Sequence, residues 1–255
     1  MTAQPEQPVQ SERRTLRVVH LYPSLMNLYG DRGNIIALRR RCEARGVDLV
    51  VQDVGIGDEW DPASTDIVFI GGGQDREQRR IHQDLIERGP DLRSYRDDDG
   101  VILAVCGGYQ LFGQSYRDIA GEVLDGVGVF DMRSVHLGAE QERCVGNVVV
   151  LWEGETLVGF ENHGGRTYLD EAAEPLASVV SGFGNNGGDG SEGCRVRNAF
   201  GTYLHGALLP KNPHFADRLI QLALQQRYGE GELAPLEDAL EARAHAEALH
   251  VGLNR

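Results

Sequence analysis

Val101-Ile-Leu-Ala-Val-Cys-Gly-Gly-Tyr-Gln110 is an apolar run of strand length that stops at a thiol and continues at once into two glycines. The run reads as a buried strand, and the glycines after it supply the backbone freedom that a tight strand-to-helix elbow demands. Such an elbow lifts the side chain at its apex clear of the sheet. It also leaves the first amides of the following helix free to face an anion. Positive potential at a helix N-terminus favours the thiolate, the form of cysteine that attacks carbonyl carbon. The alternative for Cys106 is a small buried hydrophobe, which needs neither the glycine pair nor a place at the end of an apolar run.

Working outward, the chain alternates strand and helix. Leu16–Leu21 reads as the first strand, and a helix follows from Asp31, with Asp31 and Asn34 as capping residues and Ile35, Leu38 and Cys42 on its buried stripe. Gly46 ends that helix. Strands are expected at 47–51 and 66–70, the latter running into Gly71-Gly72-Gly73, and a helix at 76–87 leads to the strand before Cys106. This order implies a parallel sheet with helices on both faces and its chemistry at the carboxyl ends of the strands. The second half is less regular. Strands are expected near 145–151, 177–180, 195–197 and 201–204, helices at 213–228 and about 236–249, and Phe215, Leu219 and Leu222 mark the buried stripe of the first of these helices. The polar, glycine-rich stretch 182–193 reads as a mobile loop. Residues 1–14 read as a disordered tail and 15–255 as one domain.

Composition narrows the function. The 255 residues carry a net charge of −14, which argues against a surface that tracks phosphate backbones. No stretch has the length of a membrane span or the apolar centre of a secretion signal, so a cytoplasmic location is expected. The four cysteines include no close pair of the kind that a zinc ribbon or redox motif needs. Lys211 is the only lysine and is followed by Asn212, so no Gly-Lys-Ser/Thr phosphate loop can be assembled. ATP, if the overall reaction uses it, belongs to another chain.

A cysteine nucleophile needs a base, and His205 in Gly201-Thr-Tyr-Leu-His-Gly206 repeats the pattern of Cys106: a short apolar stretch, the reactive side chain, then glycine. Amides of Gly71–Gly73 and Gly107 can stabilise the oxyanion that forms when a thiolate attacks an amide.

These motifs resemble the class I, triad-type glutamine amidotransferases, in particular their cobyric-acid-synthase-like branch. Within it, four stretches resemble the GatD-type glutaminase subunits of lipid II isoglutaminyl synthases: Tyr22-Pro-Ser-Leu-Met-Asn-Leu-Tyr-Gly-Asp-Arg-Gly-Asn34, Gly71-Gly-Gly-Gln-Asp-Arg-Glu-Gln78, Gly159-Phe-Glu-Asn-His-Gly-Gly-Arg-Thr-Tyr168 and Gly201-Thr-Tyr-Leu-His-Gly-Ala-Leu-Leu-Pro-Lys-Asn212. The resemblance implies a flavodoxin-like α/β fold and hydrolysis of L-glutamine to glutamate and ammonia. It implies Cys106 as nucleophile and His205 as general acid–base, with Arg143, Gly73, Gly107 and Gln110 around the substrate. The expected partner is a MurT-type, Mur-ligase-like subunit in a heterodimer. That partner would bind ATP and magnesium and amidate the D-glutamate of the peptidoglycan stem peptide, leaving no cofactor in this chain. Ala207 stands where most triad enzymes carry a glutamate two residues after the histidine, and the resemblance implies an aspartate from the partner in its place. The loop Glu161–Gly165 has no assigned role, and the C-terminal charges read as a solvated helix face. Two other readings stand beside this one: a glutaminase serving a corrinoid carboxylate, and a non-catalytic binding protein on a flavodoxin-like sheet.

Overall fold

The computed structural model describes residues 13–254. Helix α1 (Arg32–Glu43) joins strands β1 (Thr15–Leu21) and β2 (Asp48–Val54), β3 (Ile67–Ile70) follows β2 without an α-helix between them, and α2 (Asp75–Glu87) and α3 (Gly89–Asp97) lead from β3 to β4 (Val101–Val105). After β4 comes α4 (Gly107–Phe112), and then a run of strands: β5 (Ser115–Arg117), β6 (Val123–Asp125), β7 (Met132–His136), β8 (Cys144–Trp152), β9 (Glu155–His163), β10 (Gly165–Leu169), β11 (Ala177–Ser181), β12 (Ser191–Glu192), β13 (Cys194–Val196) and β14 (Ala199–Thr202). Helices α5 (Leu208–Lys211), α6 (Pro213–Tyr228) and α7 (Ala239–Leu253) complete the chain.

The main sheet has six strands in the order β13-β14-β4-β3-β1-β2, parallel throughout except for β13 at its edge. β3 and β4 are buried along their whole length, as continuous apolar strands in the middle of a parallel sheet must be. Helices α1, α5 and α6 pack on one another, α2 packs on both α3 and α4, and the central strand β4 is contacted by α6 from the first group and α4 from the second. That is the two-sided cover expected of an α/β sheet. The decisive register is β14 beside β4, with Thr202 opposite Val105, and β4 beside β3, with Ala104 opposite Ile70. Three neighbouring parallel strands therefore finish at one rim, and the residues that follow them are Gly71, Cys106 and the approach to His205.

The second half departs from the alternating pattern. It forms two further four-stranded sheets, β10-β7-β5-β6 and β12-β11-β8-β9, in which every pairing except β5 with β7 is antiparallel. Strands β5, β6, β7, β9 and β10 and helix α3 have no counterpart in the sequence-based expectations.

Several of those expectations need correction. The stretch 182–193 is not a free loop: Asn185 is fully buried, with its amide donating to Ser191 Oγ and the Gly193 carbonyl, and Glu192 is fully buried as part of β12. On α6, Phe215 and Leu219 face the core as expected, but Leu222 is half-buried and Ala223 and Leu224 continue the stripe. The expected tail at 1–14 lies largely outside the described residues. Arg14 is not part of a tail, because its carbonyl accepts from Asp48 N at 2.9 Å and extends the β1–β2 pairing. Among the described residues no helix is long and apolar enough to cross a membrane.

Candidate active site

Cys106 stands at the end of β4 with φ 49° and ψ −106°, a conformation that costs an L-residue on the order of 1–3 kcal/mol and persists only where the surroundings enforce it. The enforcement is visible. Cys106 N donates to the Thr202 carbonyl of the neighbouring strand at 2.8 Å, and the Cys106 carbonyl receives Gln110 N at 2.9 Å. The glycine pair is required by close approach: a Cβ on Gly107 would meet Gly73 O at 2.6 Å and Gly73 N at 2.7 Å, and one on Gly108 would meet Gly71 O at 2.8 Å. The elbow and the glycine turn after β3 thus pack backbone to backbone.

His205 follows β14 and is fully buried. It exchanges backbone hydrogen bonds with Phe160, donating at 2.8 Å and accepting at 3.3 Å, so the antiparallel strand β9 clamps it from the side. Tyr29 packs edge-on against the imidazole, with ring centroids 5.1 Å apart. A Cβ on Gly72 would meet His205 Cε1 at 2.6 Å and Cys106 Cβ at 3.4 Å, so this glycine lies between the two side chains and permits their approach. Burial works to lower the His205 pKa, but the Cys106 sulfur and then the Asp31 carboxylate outweigh it and lift it to about 10. Burial holds the other three cysteines as thiols, raising Cys42 and Cys194 to about 12 and Cys144 to about 11.

A cleft of about 430 Å³ opens over Cys106 and is lined also by Gly73, Gln110, Arg143, Asp75 and His163. Of the residues singled out from sequence, Cys106, Gly73, Gln110 and Arg143 border this cleft, and His205 and Gly107 lie buried outside its lining. The Arg143 guanidinium is seated on Asn162, Nε donating to Oδ1 at 2.9 Å and Nη2 to the carbonyl at 3.0 Å, and among the described residues Nη1 takes no hydrogen-bond acceptor. Gln110 is already engaged: its Oε1 accepts from Gln78 and its Nε2 donates to Tyr203 OH at 3.1 Å, so it braces the floor of the cleft. The amides of Gly73 and Gly107 donate no hydrogen bond among the described residues, whereas Gly72 N is committed to Asp31 Oδ2 at 2.6 Å. A larger groove of about 850 Å³, lined by Asp66, Asp98 and Arg227 among others, holds none of these groups. Asp66 directly precedes β3, which puts that groove at the amino-terminal edge of the sheet, away from the end where parallel sheets carry their chemistry.

Sequence reasoning missed how the four long motifs cooperate. Asp31 does not cap α1; Asn27 Oδ1 accepts from Arg32 N at 2.9 Å instead. Asn34 is no cap either, since its Oδ1 accepts from Leu209 N at 2.9 Å, beyond His205. The stretch 161–165, read from sequence as a loop, ends β9 and begins β10, and it has a structural task. His163 lies flat on Tyr203, with centroids 3.6 Å apart, and donates through Nδ1 to the Gly165 carbonyl, while buried Glu161 accepts from Phe183 N and Gly184 N. The available signal was the density of Gly, Asn, Asp and His in those motifs, too high for plain turns.

An elbow cysteine, a glycine turn and a buried histidine at adjoining ends of a parallel sheet define an α/β protein of the class that works at its strand termini. The CobB/CobQ-like glutamine amidotransferase domain matches residues 17–213, and the chain belongs to that family. It is 42% identical, over 88% of its length and 87% of the relative's, to the GatD subunit of the glutamine-hydrolyzing lipid II isoglutaminyl synthase of Streptococcus pneumoniae (strain ATCC BAA-255 / R6). To the same subunit of Staphylococcus aureus (strain N315) it is 38% identical, over 83% and 86% of the two chains. A probable cobyric acid synthase of Methanothermobacter thermautotrophicus is 30% identical over 76% of this chain, which spans only 40% of that protein. Among solved structures, a glutamine amidotransferase superposes with a TM-score of 0.54 at 15% identity over 80% of this chain and 98% of that one, a likeness of fold.

Proposed function

We propose that this chain is the glutamine-hydrolysing subunit of a lipid II isoglutaminyl synthase, that Cys106 is its nucleophile and His205 its general acid–base. The reading rests on the strained Cys106 elbow facing His205 across Gly72, in a chain that matches two such subunits along nearly their whole length. Cys106 gives its proton to His205, and the sulfur attacks the carboxamide carbon of glutamine. The oxygen takes up the negative charge and is met by the amides of Gly73 and Gly107. The imidazolium returns the proton to the departing nitrogen, which leaves as ammonia, and a thioester remains on Cys106. A water molecule deprotonated by His205 then attacks the thioester, releasing glutamate and restoring the thiol. The free Nη1 of Arg143 and the carboxylate of Asp75 suit the α-carboxylate and α-ammonium of an amino acid.

Ammonia passes to a MurT-type partner in a heterodimer, which binds ATP and magnesium and amidates the stem-peptide glutamate in the cytoplasm. The corrinoid alternative is less well supported, because the cobyric acid synthase relative is more than twice the matched length. The complex should form D-isoglutamine on a lipid II-type precursor from either glutamine or ammonia. Cys106→Ala should bind the partner and retain the ammonia-dependent reaction while losing the glutamine-dependent one. Retention of glutamine-dependent activity by Cys106→Ala would refute the assignment.

A further inference from the structure

His136 closes β7 at the wall of the cleft, 9% exposed, and the thiol chemistry leaves it unused. Its Nδ1 accepts from Gly138 N at 3.1 Å. A backbone amide can only donate, so this nitrogen carries a lone pair and the proton of the neutral ring sits on Nε2. Burial lowers the pKa of His136; Arg143 and Arg166 add to that and together with burial outweigh the carboxylates of Asp75 and Asp118, which keeps the ring neutral. Among the described residues its Nε2 meets no acceptor, and neither does Nη1 of Arg143, whose Nε and Nη2 are spent on Asn162. The two donors converge at Gly164, where a Cβ would overlap His136 Nε2 and stand 3.1 Å from Arg143 Nη1. They border one gap, close enough together for a single carboxylate to accept from both. Asp75 borders the same cleft, its carboxylate held by the Tyr116 hydroxyl at 2.8 Å and by Ile119 N at 3.3 Å.

We infer that His136 is a specificity-determining, substrate-binding residue, whose Nε2–H and Arg143 Nη1 form a two-point fork on the α-carboxylate of L-glutamine. A single arginine donor would leave the amino acid free to swivel about one hydrogen bond. A carboxylate gripped through both oxygens fixes the α-carbon, and with it the direction in which the side-chain amide reaches toward Cys106. Because the histidine donates as a neutral group, it adds this second point without repelling the α-ammonium that Asp75 takes up. The inference rests on the glutaminase reading proposed above and assigns a residue that the resemblance does not.

Two amides separate this role from a merely structural one: L-glutamine, and γ-aminobutyramide, which keeps the ammonium and the carboxamide but lacks the α-carboxylate. In the assembled complex, His136→Ala should raise KM for glutamine roughly 10- to 100-fold, the loss of one charge-assisted hydrogen bond, with kcat nearly unchanged. Its kcat/KM for γ-aminobutyramide should equal that of wild type. His136→Gln, whose side-chain amide can donate from a similar place, should recover most of the loss. Equal losses on both amides would overturn the inference, because a histidine that only props the cleft serves both alike, and so would an unchanged KM for glutamine. A second readout needs neither turnover nor a His136 variant. In a Cys106→Ala complex the nitrogen-15 NMR signal of His136 Nε2–H should shift when L-glutamine is added and stay in place with γ-aminobutyramide. Absence of the shift with glutamine would equally overturn the fork. A shift with glutamine in that complex, without any hydrolysis by the wild-type complex, would support the fork and sink the glutaminase assignment instead.

Discussion

The cysteine side of the cleft is built from consecutive residues, the histidine side from segments scattered through the chain. β4, its elbow and the glycines of α4 lie together in sequence, with distant support from the glycine turn after β3, the backbone of β14 and the Gln78 side chain, which donates to the Gly107 carbonyl. His205 is held by Tyr29 and Asp31 from the segment before α1, by Phe160 on β9, and through Thr202 and Tyr203 by Glu192 on β12. The cysteine elbow is therefore a local device and the setting of the buried histidine a tertiary one. Changes far from His205 in sequence should impair the base while leaving the thiol intact.

Gly72→Ala gives the largest expected break. The new methyl group would stand 2.6 Å from His205 Cε1 and must push the imidazole away from Cys106. Displacement of a reacting group by about 1 Å costs on the order of 10²-fold. We expect kcat for glutamine to drop by at least that factor in the complex, with the fold retained by circular dichroism and Cys106 still alkylated by iodoacetamide. Unchanged kcat would mean that the two side chains do not work across this glycine.

Arg143→Lys should act more mildly and on binding alone. The guanidinium is anchored on Asn162 by two donors and keeps one for the ligand, a division that a lysine ammonium cannot copy. KM for glutamine should rise roughly 10-fold at nearly constant kcat, since loss of a charge-assisted hydrogen bond costs about 1.5–3 kcal/mol and lysine retains part of it. An equal fall in kcat would move Arg143 from substrate binding to the chemistry.

The same division explains what could be read from the sequence. Strand β4, the elbow and the placement of Cys106 and His205 at one sheet rim were legible because an apolar run and a glycine stand directly beside each of them. Helix α3 and strands β5–β7 escaped because their apolar residues are few and their strands short, and stability comes from pairing partners fixed only in three dimensions. Asp31 was read as a cap because aspartate before a helix commonly caps it. Its actual partner lies 174 residues away, a contact no local pattern encodes.

Glu192 offers the smallest effect and the sharpest test of tertiary support for the base. Its buried carboxylate accepts from Tyr203 N at 2.6 Å and from the Thr202 hydroxyl, and desolvation outweighs these donors and pushes its pKa up to about 8. The folded chain thus holds this proton more tightly than the unfolded one, whose value is near the ordinary 4.5. The resulting stability is fully present below that ordinary value and is lost as pH rises through about 8. Glu192→Gln keeps the acceptor for Tyr203 N but cannot ionise. Its melting temperature should match wild type near pH 5 and exceed it increasingly toward pH 9. Hydrogen exchange in wild type above pH 8 should quicken at Tyr203–His205 before it does at Val101–Val105, because the charge develops beneath the base and not beneath the elbow. Parallel melting curves from pH 5 to 9 would show that Glu192 is already ionised and that β12 braces His205 by packing alone.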